Sequence, residues 1–225
     1  MREMARKPSM TVSEQLVAAL TAAWHAIQAQ HPEVPDVVLT VGSGTLGGRP
    51  GQVRYGHFAA ARWQRGDAQM PELFVAGEGL KRGAGPVLGT LIHEAAHGLA
   101  FVRGIKDTSR QGKYHNKRFK ALAEELGVVI GHDPVIGYSP TTLPPSTAAE
   151  YRQVLTQLEA ALTELYRHAE QPGATKPKSS NYVKAMCECP RVIRVGKTVL
   201  AEAPITCGAC GRDFVAEEAG DEDQD

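Results

Sequence analysis

The sequence predicts an α+β fold followed by a small, separate β unit. Three observations predict it. A helix-spaced segment is followed by three strand-like runs; a long apolar helix pattern carries His93-Glu94-x-x-His97; and all four cysteines fall between Cys187 and Cys210. At 225 residues, 42% of them hydrophobic, the chain can bury one core of about 150 residues and support something smaller beside it.

The elements follow in chain order. Residues 1–11 are polar and are expected to be disordered. From Val12 to Gln30, Leu16, Val17, Leu20, Ala23, Trp24 and Ile27 recur at helical spacing, with Ser13 as N-cap and His31-Pro32 as the stop. Val37–Val41, Arg54–Trp63 and Glu72–Ala76 read as strands, the first closed by Gly42-Ser43-Gly44. Pro86 suits the first turn of the next helix, which runs through Leu88, Leu91, Ile92, Ala95, Ala96 and Leu99 to about Val102. Its apolar residues nearly encircle it, which implies burial on most sides. A polar loop, Gly104 to Tyr114, precedes a helix opened by His115 or Asn116 and closed by Gly127. Val128-Val129-Ile130 is a short apolar run, and 132–145 is rich in Pro and Gly. Ser146 to about Ala169 reads as one long helix. The domain so built spans 12–170. A linker follows at 171–183, then a cysteine unit at 184–215, and then an acidic tail at 216–225 that is expected to be disordered.

Two histidines four residues apart on a helix lie about 40° apart around its axis, so both imidazoles can reach one metal ion. Glu94, beside the first of them, is placed to take a proton from a water that the metal activates. On a helix buried on most sides, His93, Glu94 and His97 are costly without such a partner. A catalytic zinc takes three protein ligands. His115 is the best third candidate, 18 residues on across a loop; His132 is the next, and Asp133 a distant third. Tyr114 and Tyr138 are candidate oxyanion donors.

Cys187-x-Cys189 and Cys207-x-x-Cys210 bracket a Val/Ile-rich segment, the arrangement of a four-thiolate structural zinc ribbon. Val192–Val195 and Thr198–Leu200 are expected to pair as a hairpin around Gly196-Lys197. Net charge is zero, yet 103–120 carries seven basic residues (Arg103, Lys106, Arg110, Lys113, Lys117, Arg118, Lys120) against Asp107 alone. Together with Arg191 and Arg194 in the cysteine unit, Arg110, Lys113, Lys117 and Arg118 are candidate nucleic-acid contacts. No apolar run reaches the roughly 18 residues of a membrane span, and residues 1–15 lack a signal-peptide core. A cytoplasmic protein is expected, nucleoid-associated if it binds DNA, with a monomer favoured.

The H-E-x-x-H motif, the later Tyr114-His115-Asn116-Lys117-Arg118-Phe119 and the closing C-x-C…C-x-x-C resemble, in that order, the SprT-like family, which includes the Spartan DNA–protein crosslink proteases. The resemblance covers roughly residues 12–215. It implies a small zincin-type metallopeptidase domain with His93, His97 and His115 on zinc, Glu94 as catalytic base, and proteins trapped on DNA as substrates. Family members often carry His-Gly-x-x-Phe/Trp at the third ligand; here Asn116 replaces that Gly, while Phe119 matches. Two other readings fit the same residues: a nucleic-acid-binding zinc module with a non-catalytic peptidase-like scaffold, and a protease that cleaves a specific regulator without DNA.

Overall fold

A computed structural model describes residues 10–45, 52–169 and 181–216. Most of the expected disordered N-terminus, linker and acidic tail lies outside these residues. The chain divides into two units, Met1–Gln171 and Pro172–Asp225. The fold is α+β, with small sheets and several helices.

In the first unit, helix α1 spans Val12–Gln30, the range of its apolar pattern, but its cap lies two residues before the expected one. Thr11, not Ser13, is the N-cap: its side chain accepts from Glu14 N–H while the Glu14 carboxylate takes the Thr11 N–H, a capping box. α1 buries Leu20, Ala23, Trp24 and Ile27, and Trp24 Nε1 donates to the Pro35 carbonyl at 3.1 Å. Strands β1 (Val38–Gly42), β2 (Gly56–Arg65) and β3 (Ala68–Ala76) form one sheet in the order β1-β3-β2. β3 runs parallel to β1 and antiparallel to β2. Along β3, Leu73 and Val75 are buried, whereas Glu72 and Phe74 alternate with them on the other face. The β2–β3 register slips between Ala59 and Trp63, opposite Pro71. A proline has no N–H to give the ladder, so the bulge falls where a bond is missing.

A 3₁₀ turn, Gly77–Arg82, leads into α2 (Ala84–Val102), which carries the motif. Its buried residues include Leu88, Leu91, Ile92, Ala95, Ala96 and Leu99, as an all-round apolar helix requires. Two glycines let neighbours close on it. A Cβ at Gly98 would come within 3.0 Å of Pro35 Cδ, and one at Gly56 within 2.9 Å of Glu94 Oε1. β2 therefore passes directly over Glu94. At the helix end Arg103 pairs with both Glu33 and Glu125, tying α2 to the turn after α1 and to α3.

The polar loop folds as a short hairpin, β4 (Thr108–Ser109) with β5 (Tyr114–His115). Asn116 then caps α3 (Lys117–Glu125), its Oδ1 accepting from the Arg118 and Phe119 N–H groups. β6 (Val129–Ile130) pairs with β7 (Thr141–Thr142). The expected single helix from Ser146 to Ala169 is instead two pieces. α4 (Pro145–Glu150) and α5 (Arg152–Leu162) meet at Tyr151, and the chain leaves the helix by Glu164, whose φ is +55°. Arg167 N–H then donates to Gly77 O, so a tertiary hydrogen bond replaces the helical ones that the apolar stripe suggested.

In the second unit, β8 (Tyr182–Met186) pairs antiparallel with β9 (Val192–Gly196), and β10 (Val215–Ala216) adds to β8. β8 begins inside the expected linker. The expected Val192–Leu200 hairpin is not formed: Lys197–Glu202 is helix α6, because the partner of β9 lies upstream across the cysteine turn.

Candidate metal centres

α2 presents His93 and His97 one turn apart with Glu94 next to His93, and β5 brings His115 to them. The imidazole centroids lie 5.3 Å (His93–His97), 5.0 Å (His93–His115) and 5.0 Å (His97–His115) apart. The ring of Phe119, fully buried, sits 4.5, 4.5 and 4.6 Å from them, an apolar floor under all three.

Each ring has its Nδ1 occupied. His97 Nδ1 lies 2.5 Å from Asp107 Oδ2. His115 Nδ1 meets the carbonyl of Ile136 at 3.2 Å. His93 Nδ1 meets Thr141 Oγ1 at 2.8 Å, and that hydroxyl already donates to Ser139 O. All three partners can therefore only accept, so each Nδ1 carries the hydrogen, and in the neutral ring Nε2 is then a bare lone pair. Yet His97 Nε2 and His115 Nε2 stand 3.1 Å apart, and one ring nitrogen from each of the three histidines lies within 4.8 Å of the others. Facing lone pairs repel unless a cation lies between them, and this donor set suits a metal. Burial, and then its neighbours His97 and His115, drives the His93 pKa well below its ordinary value; burial and His97 lower that of His115. Both rings are thereby kept neutral, the form that binds metal.

Glu94 is 4% exposed, and its Oε2 has no hydrogen-bond partner among the described residues. Its carboxylate accepts from Phe58 N–H, the contact that Gly56 permits, but burial outweighs this and pushes its pKa up to about 7. In metal-free protein, the unfolded Glu94 releases its proton near 4.5 and the folded one near 7. Between those values the folded state holds the extra proton, so stability falls as pH rises, by on the order of 3 kcal/mol across the window. Denaturant unfolding of chelator-stripped wild type and Glu94→Gln at about pH 5 and about pH 8 isolates the effect. The wild type is expected to lose stability relative to the variant at the higher pH; a constant difference rules the shift out.

Of the sequence candidates, His132 and Asp133 lie outside the three-histidine cluster. His132 Nε2 pairs with Tyr114 Oη at 3.1 Å, which leaves Tyr114 turned toward His132, and Tyr138 packs on the His132 ring at 4.7 Å. Asp133 Oδ1 accepts from Val135 and Ile136 N–H and shapes the turn that holds His115. Sequence reasoning missed Asp107, Thr141 and the Ile136 carbonyl. Asp107 had left one signal, as the lone acid in a basic segment. Arg110 lies over the Tyr114 ring at 4.6 Å, and Lys117 and Arg118 open α3.

The cysteines form the second cluster. Cys187 Sγ is 3.2 Å from Cys189 Sγ and Cys189 Sγ 3.7 Å from Cys207 Sγ, and all four sulfurs lie within 4.8 Å of one another. These spacings exceed a disulfide bond of about 2.05 Å. The Ala209 and Cys210 N–H groups hold Cys207 down to about 6, while hydrogen bonds that the Cys189 thiol gives to Cys187 and Cys210 push Cys189 up to about 12. Four crowded thiols cannot all ionise alone; a divalent cation would let them. Arg191 Nη1 is 4.0 Å from Cys207 Sγ, so this candidate nucleic-acid contact faces the cluster. On the exposed face of the hairpin Arg194 stands directly opposite Lys184, beside Tyr182.

No helix among the described residues is long and apolar enough to cross a membrane. Comparison of the chain with protein-family models, curated proteins and solved structures gives no significant match.

Proposed function

We propose that this chain is a zinc-dependent endopeptidase of the SprT-like type, with a zincin-type first unit and a zinc-ribbon second unit, acting on proteins bound to DNA. The observation that carries the reading is the convergence of three histidines, each with Nδ1 tied back and Nε2 bare, beside a buried carboxylate with one oxygen unpartnered. His93, His97 and His115 would hold the zinc, which when bound supplies Lewis acidity and makes water acidic enough to attack a carbonyl near neutral pH. Glu94 Oε2 takes a proton from the attacking water and delivers it to the leaving amine. Burial raises its proton affinity, so it can hold that proton between the two transfers. Phe58 N–H keeps the carboxylate oriented, and the Phe119 ring excludes water from beneath the imidazoles.

The four cysteines would hold a second, structural zinc, since four thiolates leave no open position. Two features support DNA as the setting. Arg110 and Lys113 lie on the hairpin that delivers His115. Lys184 and Arg194 stand opposite each other on the exposed face of β8 and β9, basic groups of the kind that meet a phosphate backbone.

Elemental analysis of full-length protein tests the metal assignment. Two zinc ions per chain are expected, with His115→Ala and Cys207→Ser each losing one and a chelator abolishing cleavage of a DNA-bound protein. Zinc retained in full by His115→Ala, or cleavage that survives complete zinc removal, would overturn the reading.

A further inference from the structure

The segment between the second and third histidines is joined to both. Asp107 binds His97 Nδ1 through its carboxylate, and its own backbone carbonyl accepts from Asn116 N–H at 3.0 Å. Asn116 follows His115 directly. Its side chain works in two directions: Nδ2 donates to Lys106 O at 2.9 Å, and Oδ1 caps the helix that supplies Phe119. Thr108 pairs with His115 in the ladder between them. One stretch of chain, 106–116, is thus clasped at both ends by residues that orient two of the three histidines. Its tip is held in uncommon backbone conformations, with Arg110 and Gln111 at φ +50° and +58° before Gly112. Non-glycine residues stay there only where the surroundings over-determine them.

We propose that Asp107 is a positioning residue for His97, and that through Asn116 it links metal occupancy to the order of the basic hairpin 106–116. The inference rests on the reading of His93, His97 and His115 as metal ligands. Asp107 fixes the tautomer and plane of His97, so the lone pair of Nε2 points into the site only while the clasp is closed. Metal on Nε2 in turn strengthens the Nδ1–H bond to Asp107 and so holds the hairpin. By linkage, each event favours the other. The hairpin also carries Arg110 and Lys113, two trypsin sites at its tip that report its order directly.

The test uses full-length protein loaded with Co2+, whose thiolate charge-transfer absorption separates the four-cysteine ion from the three-histidine ion. Competition with a chelator is expected to show the three-histidine class weakened about 10- to 100-fold in Asp107→Ala, the usual range for losing such a partner. The four-cysteine class, unchanged, serves as the internal control. Asp107→Asn can still accept from His97 Nδ1–H and is expected within a few-fold of wild type, which separates lost orientation from misfolding. Tryptic cutting at Arg110 and Lys113 is expected to quicken in Asp107→Ala and in metal-stripped wild type. If wild type and Asp107→Ala bind the three-histidine ion equally, or if metal leaves the cutting rate unchanged, the inference fails while the metallopeptidase reading stands. If wild type shows the four-cysteine class alone, both fall together.

Discussion

Glu94→Gln is expected to keep both metal ions and to lose cleavage of a DNA-bound protein such as a histone. The substitution is nearly isosteric. The amide oxygen can still accept from Phe58 N–H, and the side chain still fills the space under β2 left by Gly56. What disappears is a buried oxygen able to take a proton. General-base catalysis accounts for about 10²- to 10⁴-fold in rate, and here one group serves both proton transfers, so the loss is expected at the upper end. Elemental analysis and a cleavage time course on the same preparation check both halves. Equal cleavage by wild type and Glu94→Gln, with zinc bound in both, would remove Glu94 from the mechanism.

The second large effect lies away from the histidines themselves, at Gly137. Its φ is +79°, and a Cβ there would collide with the carbonyl oxygen of His115 and come within 2.9 Å of Tyr114 Cε1. The preceding residue, Ile136, supplies the carbonyl that holds His115 Nδ1. Gly137→Val must therefore move the backbone that orients the third histidine, and it adds a β-branched side chain in a left-handed conformation. A cost of about 3 kcal/mol or more is expected, with loss of the three-histidine ion. Gly66→Ala is the control: its φ is +59°, but nothing lies within 4 Å of its Cβ position. It is expected to lose about 1 kcal/mol and no zinc. Denaturant midpoints and zinc content separate the two; wild-type zinc and stability in Gly137→Val would show that the turn can give way.

Much of this was legible along the chain because the signals are local. Helical spacing located α1 and α2, one β-branched run and two other strand-like runs located the sheet, and an i, i+4 pair of histidines needs only a helix to converge. His115 was legible as a candidate because a loop of that length can turn back. Asn116, which departs from the SprT-like pattern that the chain resembles, proves to be the cap of α3. The misses share a physical cause. Asp107, Thr141 and the Ile136 carbonyl become partners only through contacts made by the folded chain, which periodicity does not encode. The stripe from Ser146 onward looks helical throughout, yet Arg167 finds a better bond at Gly77. Thr198-Val199-Leu200 has strand-forming residues, but β9 was already paired with β8, leaving no strand to join.

Pro71 carries a consequence of another kind. β2 is one of the two outer strands of its sheet among the described residues, a position exposed to pairing with a second copy of the chain. Because Pro71 breaks the ladder, the regular stretches of β2 shrink to 56–59 and 63–65, with Arg62 and Arg65 beside the break. Fibril growth needs about six uninterrupted, uncharged residues to stack on. The missing N–H of one proline therefore guards the strand above Glu94 against self-association, leaving it open while denying it a template.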